Sequence, residues 1–356
     1  MVALEAKIKS SPEDFVVDEM LADGRLASEC TGFNESAGAF IWVALKKINW
    51  NTIDLAREIA HSVHVSEKQV NYGGIKDRTA VAYQVFSINT REKIENVKEK
   101  IGRIRDVEVL GAWRNNRWIK GEDFVGNRFE IILRECNFRA RDVKKIDKFP
   151  NYFGEQRFGS MHGNSHIVGF HLLKGDYDSA IREYFAENEC CEFGTGRERE
   201  MYEKSKRYGP QMFVKHYWRV FKLCLNAAQS HLFNEELERR IADNELGPLE
   251  GEYTCGRNRF GFADVNVEGA EFTVVPLVGS ECKILNKYKQ RLMKKYGVES
   301  EDFRKAELKG GGRTLFAPIV YLKVEDVESK NAVKLSFKLQ KGAYATTAVK
   351  ELLKKV

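Results

Sequence analysis

The clearest pattern in the chain lies near its end, where Val333, Leu335, Phe337 and Leu339 alternate with Lys334, Ser336, Lys338 and Gln340. A period of two places the apolar side chains on one face of an extended segment, so a half-buried strand is predicted there. Residues 81–88, rich in β-branched and aromatic side chains, read as a second strand. So do residues 40–45, residues 15–17 after a turn at Pro12, residues 107–112, and the run 126–134. Helical spacing marks Ile53, Ala56, Ile59, Ala60 and Val63 behind a capping Asn51, and again Ile94, Val97 and Ile101. Residues 143–149 are predicted as a short helix that stops before Pro150.

From about Gly175 the pattern turns helical. Helices are expected over 177–187, over 225–241 with Leu225, Ala228, Leu232, Leu237 and Ile241 in one stripe, and over 282–296 with Gly297 as the stop. Gly310, Gly311 and Gly312 suit a flexible connection. Strands then return, and Gly342 opens a last helix with Ala345, Val349 and Leu352 or Leu353 facing inward. Strands at both ends of a helical middle point to an α+β chain in which one sheet is interrupted by an insertion. The segmentation is 1–172 and 315–356 for the sheet domain and 173–314 for the insertion.

Composition narrows the function classes. The chain has 356 residues, 43% of them hydrophobic and 31% charged, as in a soluble globular protein with a sizeable core. No window has the apolar length of a signal peptide or a bilayer span, so a cytoplasmic protein with no membrane association is expected. Seven cysteines, an odd number without a Cys-x-x-Cys pair, read as reduced thiols. His162, His166 and His171 lack the companions of a metal site, so no metal is expected. The net charge of +6 leaves room for basic patches suited to nucleic acid.

Candidate chemistry centres on Gly73-Gly74-Ile75-Lys76-Asp77-Arg78-Thr79-Ala80, a glycine turn feeding the 81–88 strand. Asp77 sits between Lys76 and Arg78, and neighbouring cations favour a carboxylate's charged form, which suits a nucleophile or an electrostatic stabiliser. Solvated loop charge is the plainer alternative. In Trp113-Arg114-Asn115-Asn116-Arg117-Trp118 the arginines and tryptophans offer phosphate contacts and stacking faces for RNA, or else a hairpin with buried indoles. Lys76, Arg78, Arg114 and Arg117 are the RNA-contact candidates, with further basic residues from Arg197 to Arg207. Asn151-Tyr152-Phe153-Gly154-Glu155-Gln156-Arg157-Phe158-Gly159 gathers the aromatic faces and amide edges that a base pocket needs.

These segments resemble the TruD family of tRNA pseudouridine synthases, relatives of eukaryotic pseudouridine synthase 7. The resemblance is carried by Lys9-Ser10-Ser11-Pro12-Glu13-Asp14-Phe15-Val16-Val17, by residues 74–80, by Gly126-Asn127-Arg128-Phe129, by residues 151–159, by Asn226-Ala227-Ala228-Gln229-Ser230-His231-Leu232-Phe233-Asn234 and by Gly342-Ala343-Tyr344-Ala345-Thr346. It implies a pseudouridine synthase fold with a mixed, mainly antiparallel sheet, a mostly helical TruD insertion, and a cleft between the two. It also implies isomerisation of uridine to pseudouridine, with uridine 13 of tRNA as target, tRNA as partner, no cofactor, and no protein partner. On the same basis Asp77 is the catalytic aspartate and Lys9 its basic partner. Asn151, Phe153, Arg157 and Tyr344 fall on substrate-binding positions, Tyr344 standing where some relatives have Phe. Residues 176–215 look longer than in bacterial members, so no contacts are carried over there. The alternative is a non-catalytic RNA-binding protein or tRNA folding chaperone on the same scaffold, which would have no need of Asp77 with Lys9.

Overall fold

The structure is a computed structural model that describes residues 4–35, 37–159, 162–185, 196–327 and 331–354. Cys190, Cys191 and the side chain of Arg197 lie outside what is described. The chain divides into two compact units, one formed by residues 1–149, 259–262 and 318–356, the other by 150–258 and 263–317. These boundaries fall at 149/150 and 317/318, where the sequence segmentation has 172/173 and 314/315. The helix Ser165–Leu173 accounts for much of the first difference, since its Val168 and Phe170 share a core with Phe221, Cys224 and Leu225 of the helix Trp218–Ala242.

In the first unit the described residues form a nine-stranded sheet. Its order is Val320–Val327, Ala332–Gln340, Phe124–Leu133, Phe15–Leu21, Val81–Asn89, Phe40–Ile48, Val107–Asn115 and Gly32–Asn34, with Val70–Tyr72 also paired to Val81–Asn89. Two pairings are parallel, Phe15–Leu21 with Val81–Asn89 and Gly32–Asn34 with Val107–Asn115. The others are antiparallel. The mixed, mainly antiparallel sheet that the family resemblance implies is what the first unit forms.

The strand Phe40–Ile48 shows why its apolar run is nearly continuous. Ile41, Val43 and Leu45 face a core that includes Leu55, Ile59, Val97 and Ile101, while Trp42 and Ala44 join Leu21, Val85 and Phe124. Both faces of this part of the sheet are covered, so the alternation is apolar on either side. Asn51 caps the helix Thr52–Ser62 as expected, its Oδ1 accepting from the Ile53 N–H at 2.8 Å. The terminal alternation holds too, with Val333, Leu335, Phe337 and Leu339 buried.

The expected helix over 143–149 does not form. The Lys144 N–H donates to Leu352 O at 3.0 Å, the Ile319 N–H donates to Asp147 O at 2.7 Å, and Lys148–Pro150 is a strand. Seven residues cannot offset helix nucleation when the same backbone groups find partners elsewhere in the unit.

The second unit is built around the helix Trp218–Ala242, with Ser165–Leu173, Tyr177–Phe185, Gly196–Ser205, Pro210–His216, Lys287–Tyr296 and Ser300–Lys305. It also holds a four-stranded antiparallel sheet in the order Ala263–Asp264, Tyr253–Arg257, Phe272–Leu277, Gly311–Thr314. The glycines at 311 and 312 are therefore strand residues and not a flexible connection. A Cβ on Gly312 would lie 2.9 Å from Val274 Cγ1, so a larger residue there would have to displace that side chain. The helix expected from 282 begins at Lys287, because the Asn286 side chain caps it by accepting from the Tyr288 and Lys289 N–H groups. Ile241, expected on the buried stripe, is 37% exposed.

A polar cluster is sealed into this unit. Arg240, fully buried, donates to Glu252 at 2.7 and 2.9 Å and lies 3.6 Å from Glu236. Lys289 sits 3.2 Å from Glu236 and 3.7 Å from Glu252, and the Asn286 amide donates to both carboxylates. Two cations thus balance two buried carboxylates.

Candidate active site

In the first unit, the segment 73–80 leaves the strand Val70–Tyr72 and enters Val81–Asn89. Gly73 is there because of what it passes: a Cβ would fall 1.3 Å from the Phe124 ring. Gly73→Ala is expected to lower stability by about 1–3 kcal/mol through overpacking. A fall in the urea midpoint at unchanged slope would register it.

The turn is tied at several points to the strands and to the helix Thr52–Ser62. Gln84 Nε2 donates to Gly74 O at 2.6 Å, and the Lys76 N–H donates to Thr52 Oγ1 at 2.9 Å. Lys76 Nζ donates to Asn127 Oδ1 at 2.6 Å and pairs with Glu19 Oε1 at 2.8 Å. Glu19, fully buried, accepts the Val85 N–H on its other oxygen at 3.0 Å. Lys47 Nζ donates to Trp50 O at 2.5 Å and to Asp77 O at 3.3 Å.

The Asp77 carboxylate is met by Lys9, whose Nζ donates to Asp77 Oδ2. The two side chains are 20% and 19% exposed, shielded from bulk water yet reachable from outside the unit. Lys9 adopts φ +60°, the left-handed region that side chains rarely occupy, and its Nζ lies 4.2 Å from the centre of the Phe15 ring. The ion pair joins residues 68 apart in sequence. Burial pushes the fully buried Lys47 down to about 8, helped by the neighbouring Lys76 charge and opposed by Asp77 and Glu19.

The other sequence candidates divide sharply. Lys76 is only 8% exposed and is engaged as above. Arg114 is 10% exposed, pairs with Glu35 at 3.1 Å and donates to Thr90 O and Glu92 O. Arg117 forms a two-pronged pair with Asp123 and is about half exposed. Arg78 is exposed. Trp42 Nε1 donates to Arg117 O and Trp113 packs near Trp42, but Trp113 and Trp118 themselves are only half-buried while Arg114 is largely enclosed, so the stretch matches neither reading in full. Tyr344 precedes the helix Ala345–Leu352 as its N-cap residue and is half-buried.

The second unit carries the 151–159 motif. Asn151 is buried: its Nδ2 donates to Thr314 O at 3.1 Å and to Thr314 Oγ1 at 3.2 Å, and its Oδ1 accepts from Arg313 at 2.7 Å. The Arg313 guanidinium lies 3.8 Å from the centre of the half-buried Phe153 ring, and Phe233 meets that ring edge-on. Asn234 exchanges hydrogen bonds with the Phe153 backbone on both sides, and Arg157 Nε donates to Ser230 Oγ at 2.9 Å. The motifs 151–159 and 226–234 thus meet in one cluster. Lys9 and Asp77 also meet, while Asn151, Phe153 and Arg157 form a separate group in their own unit.

Sequence reasoning missed Lys47, Glu19 and Arg313. For Lys47 a signal existed: it continues the parity of Ile41, Val43 and Leu45, so alternation alone aims it inward. Glu19 likewise continues Phe15 and Val17. Arg313 had none beyond the glycines before it.

Among known proteins, the chain is 30% identical to the "Probable tRNA pseudouridine synthase D" of Pyrobaculum arsenaticum over 98% of its own length and 92% of the relative's. It is 28% identical to the protein of the same description from Methanococcus aeolicus, covering 99% of this chain and 97% of that one. The crystal structure of the "Putative tRNA pseudouridine synthase D (TruD)" from Methanosarcina mazei superposes with a TM-score of 0.63 at 24% identity, over 99% of this chain and 94% of that one. The sequence model of tRNA pseudouridine synthase D (TruD) matches residues 2–211 and 215–352, and the chain belongs to this family of isomerases.

Proposed function

We propose that the protein isomerises uridine 13 of tRNA to pseudouridine, with Asp77 as catalytic residue. The observation that carries this reading is the Lys9–Asp77 ion pair, in which two family motifs far apart in sequence supply a cation and a carboxylate to one another on a tied-down turn. The reaction breaks the bond from N1 to C1′, turns the uracil, and joins C5 to C1′; C5 gives up a proton and N1 takes one, so composition is unchanged. An ionised carboxylate serves each available route: attack at C1′, attack at base C6, or removal of a ribose proton on the way to a glycal. Lys9, whose Nζ donates to Asp77 Oδ2, gives the carboxylate a cationic partner.

The target nucleotide leaves its RNA stack to be reached. Within the second unit, Phe153, held by Arg313 and Phe233, offers a rigid stacking face for a base, and Asn151 contributes by fixing Arg313 and the strand at Thr314. Arg78 and Arg117 have the exposure needed for backbone contacts, which Lys76 and Arg114 lack while their present pairs hold. No helix among the described residues is long and apolar enough to cross a membrane, and a cytoplasmic setting follows from the tRNA substrate.

The test is chemical mapping of pseudouridine in unmodified tRNA transcripts incubated with the purified protein alone. A new mark at position 13 is expected without any added cofactor. Binding without a mark on any tRNA would favour the chaperone reading.

A further inference from the structure

We propose that Lys47 is a positioning residue for the isomerisation, its buried ammonium holding the Asp77 main chain so that the carboxylate is presented in one place. This rests on the reading of Asp77 as the catalytic residue. Lys47 points inward from the strand Phe40–Ile48 and is fully buried, an uncommon fate for lysine. Its Nζ reaches two main-chain carbonyls, Trp50 O just before the helix Thr52–Ser62 and Asp77 O in the turn. It therefore links the strand, the helix entrance and the Asp77 turn through one atom. The Lys9 ion pair restrains the carboxylate from outside; Lys47 restrains the backbone that bears it from inside.

An apolar side chain would pack in this position without the desolvation of a charge, so stability alone gives no reason for lysine. The sign of the linkage agrees. With a folded value of about 8, below lysine's ordinary 10.5, the unfolded chain binds this proton more tightly. The stabilising contribution is complete above the unfolded value and is lost as pH falls toward 8. At neutral pH the fold carries the charged Lys47 at a cost, and what it gains is the hold on Asp77.

The charge brings a pH dependence. The groups that face Lys47 are Lys76 and Asp77 from the turn and Glu19 from the strand Phe15–Leu21. Thr52 from the helix and Gln84 from the strand Val81–Asn89, bonded to each other at 3.2 Å, bring no charge to the layer. When Lys47 loses its proton, two charge-assisted bonds become neutral ones, and the 3.3 Å bond to Asp77 O is the longer of the two.

The experiment is single-turnover isomerisation of an unmodified tRNA transcript from pH 6.5 to 9, by the parent protein and Lys47→Met, with tRNA affinity and melting temperature measured on both. The parent's rate should fall above about pH 8. Lys47→Met should lose about 10²-fold in rate at pH 7, show no such fall above pH 8, bind tRNA within about twofold of the parent, and melt no lower. A variant within threefold of the parent's rate, or one with the same alkaline fall, overturns the proposal. Should Lys47→Met not fold, Glu19→Gln decides: removing that carboxylate should move the parent's alkaline fall to lower pH, and an unmoved or absent fall overturns the proposal. Turnover by Asp77→Asn near the parent's rate would instead overturn the catalytic reading itself. A dead Asp77→Asn beside a fully active Lys47→Met removes only the positioning role.

Discussion

Asp77→Asn will bind tRNA as the parent does and form pseudouridine at least about 10³-fold more slowly, the scale on which a single acid–base or nucleophilic group acts. Asparagine keeps the size of the side chain, and its amide oxygen still accepts from Lys9, so the turn and its bonds to Gln84, Thr52 and Lys47 are undisturbed. Only the charge is lost. Each route from uridine to pseudouridine needs that charge, whether the carboxylate attacks carbon or removes a proton. Single-turnover rates at saturating protein separate chemistry from binding. Turnover near the parental rate would exclude Asp77 as the catalyst, and a large loss of affinity would mean that the substitution acts on RNA contacts.

Arg240→Met will destabilise the second unit by about 3–5 kcal/mol, because it leaves buried carboxylates with too little positive charge. In the parent, Arg240 and Lys289 together face Glu236 and Glu252, all essentially closed to water. Methionine fills a similar space but also abandons Glu245 O and Gly247 O, which accept from Arg240 at 2.9 and 2.6 Å. Adding Glu252→Gln removes the surplus negative charge, and the pair should recover part of the loss. Urea unfolding of the two single variants and the double variant measures this. Additive losses would show that the cluster is not coupled.

The sheet was legible in the sequence because its strands carry their burial in their parity. Ala332–Gln340 alternates, and Phe40–Ile48 is apolar on both faces because both are covered. The failures share one cause: a local pattern overruled by partners distant in sequence. Residues 143–149 have helical spacing but bond to Leu352 and Ile319, and Gly311–Thr314 looks like a hinge until Phe272–Leu277 pairs with it. The site divides in the same way. Asp77 and Lys9 stood in recognisable motifs, whereas Lys47 and Glu19 were hidden among strand residues whose inward aim is visible from parity but whose charged partners are not. Arg313 acquires its role only by lying against Phe153.

The interrupted sheet has a consequence for how the chain is made. Phe124–Leu133 lies between Phe15–Leu21 and Ala332–Gln340, yet the second of these neighbours follows the whole second unit in sequence. During synthesis from the amino terminus, the edge of Phe124–Leu133 must wait, with its hydrogen-bonding groups unpaired, until the last strands emerge. An open edge of this kind invites pairing with other chains. Folding of the second unit while that edge waits brings the last strands closer along the chain, so a slow insertion would expose the nascent protein to aggregation before any uridine is met.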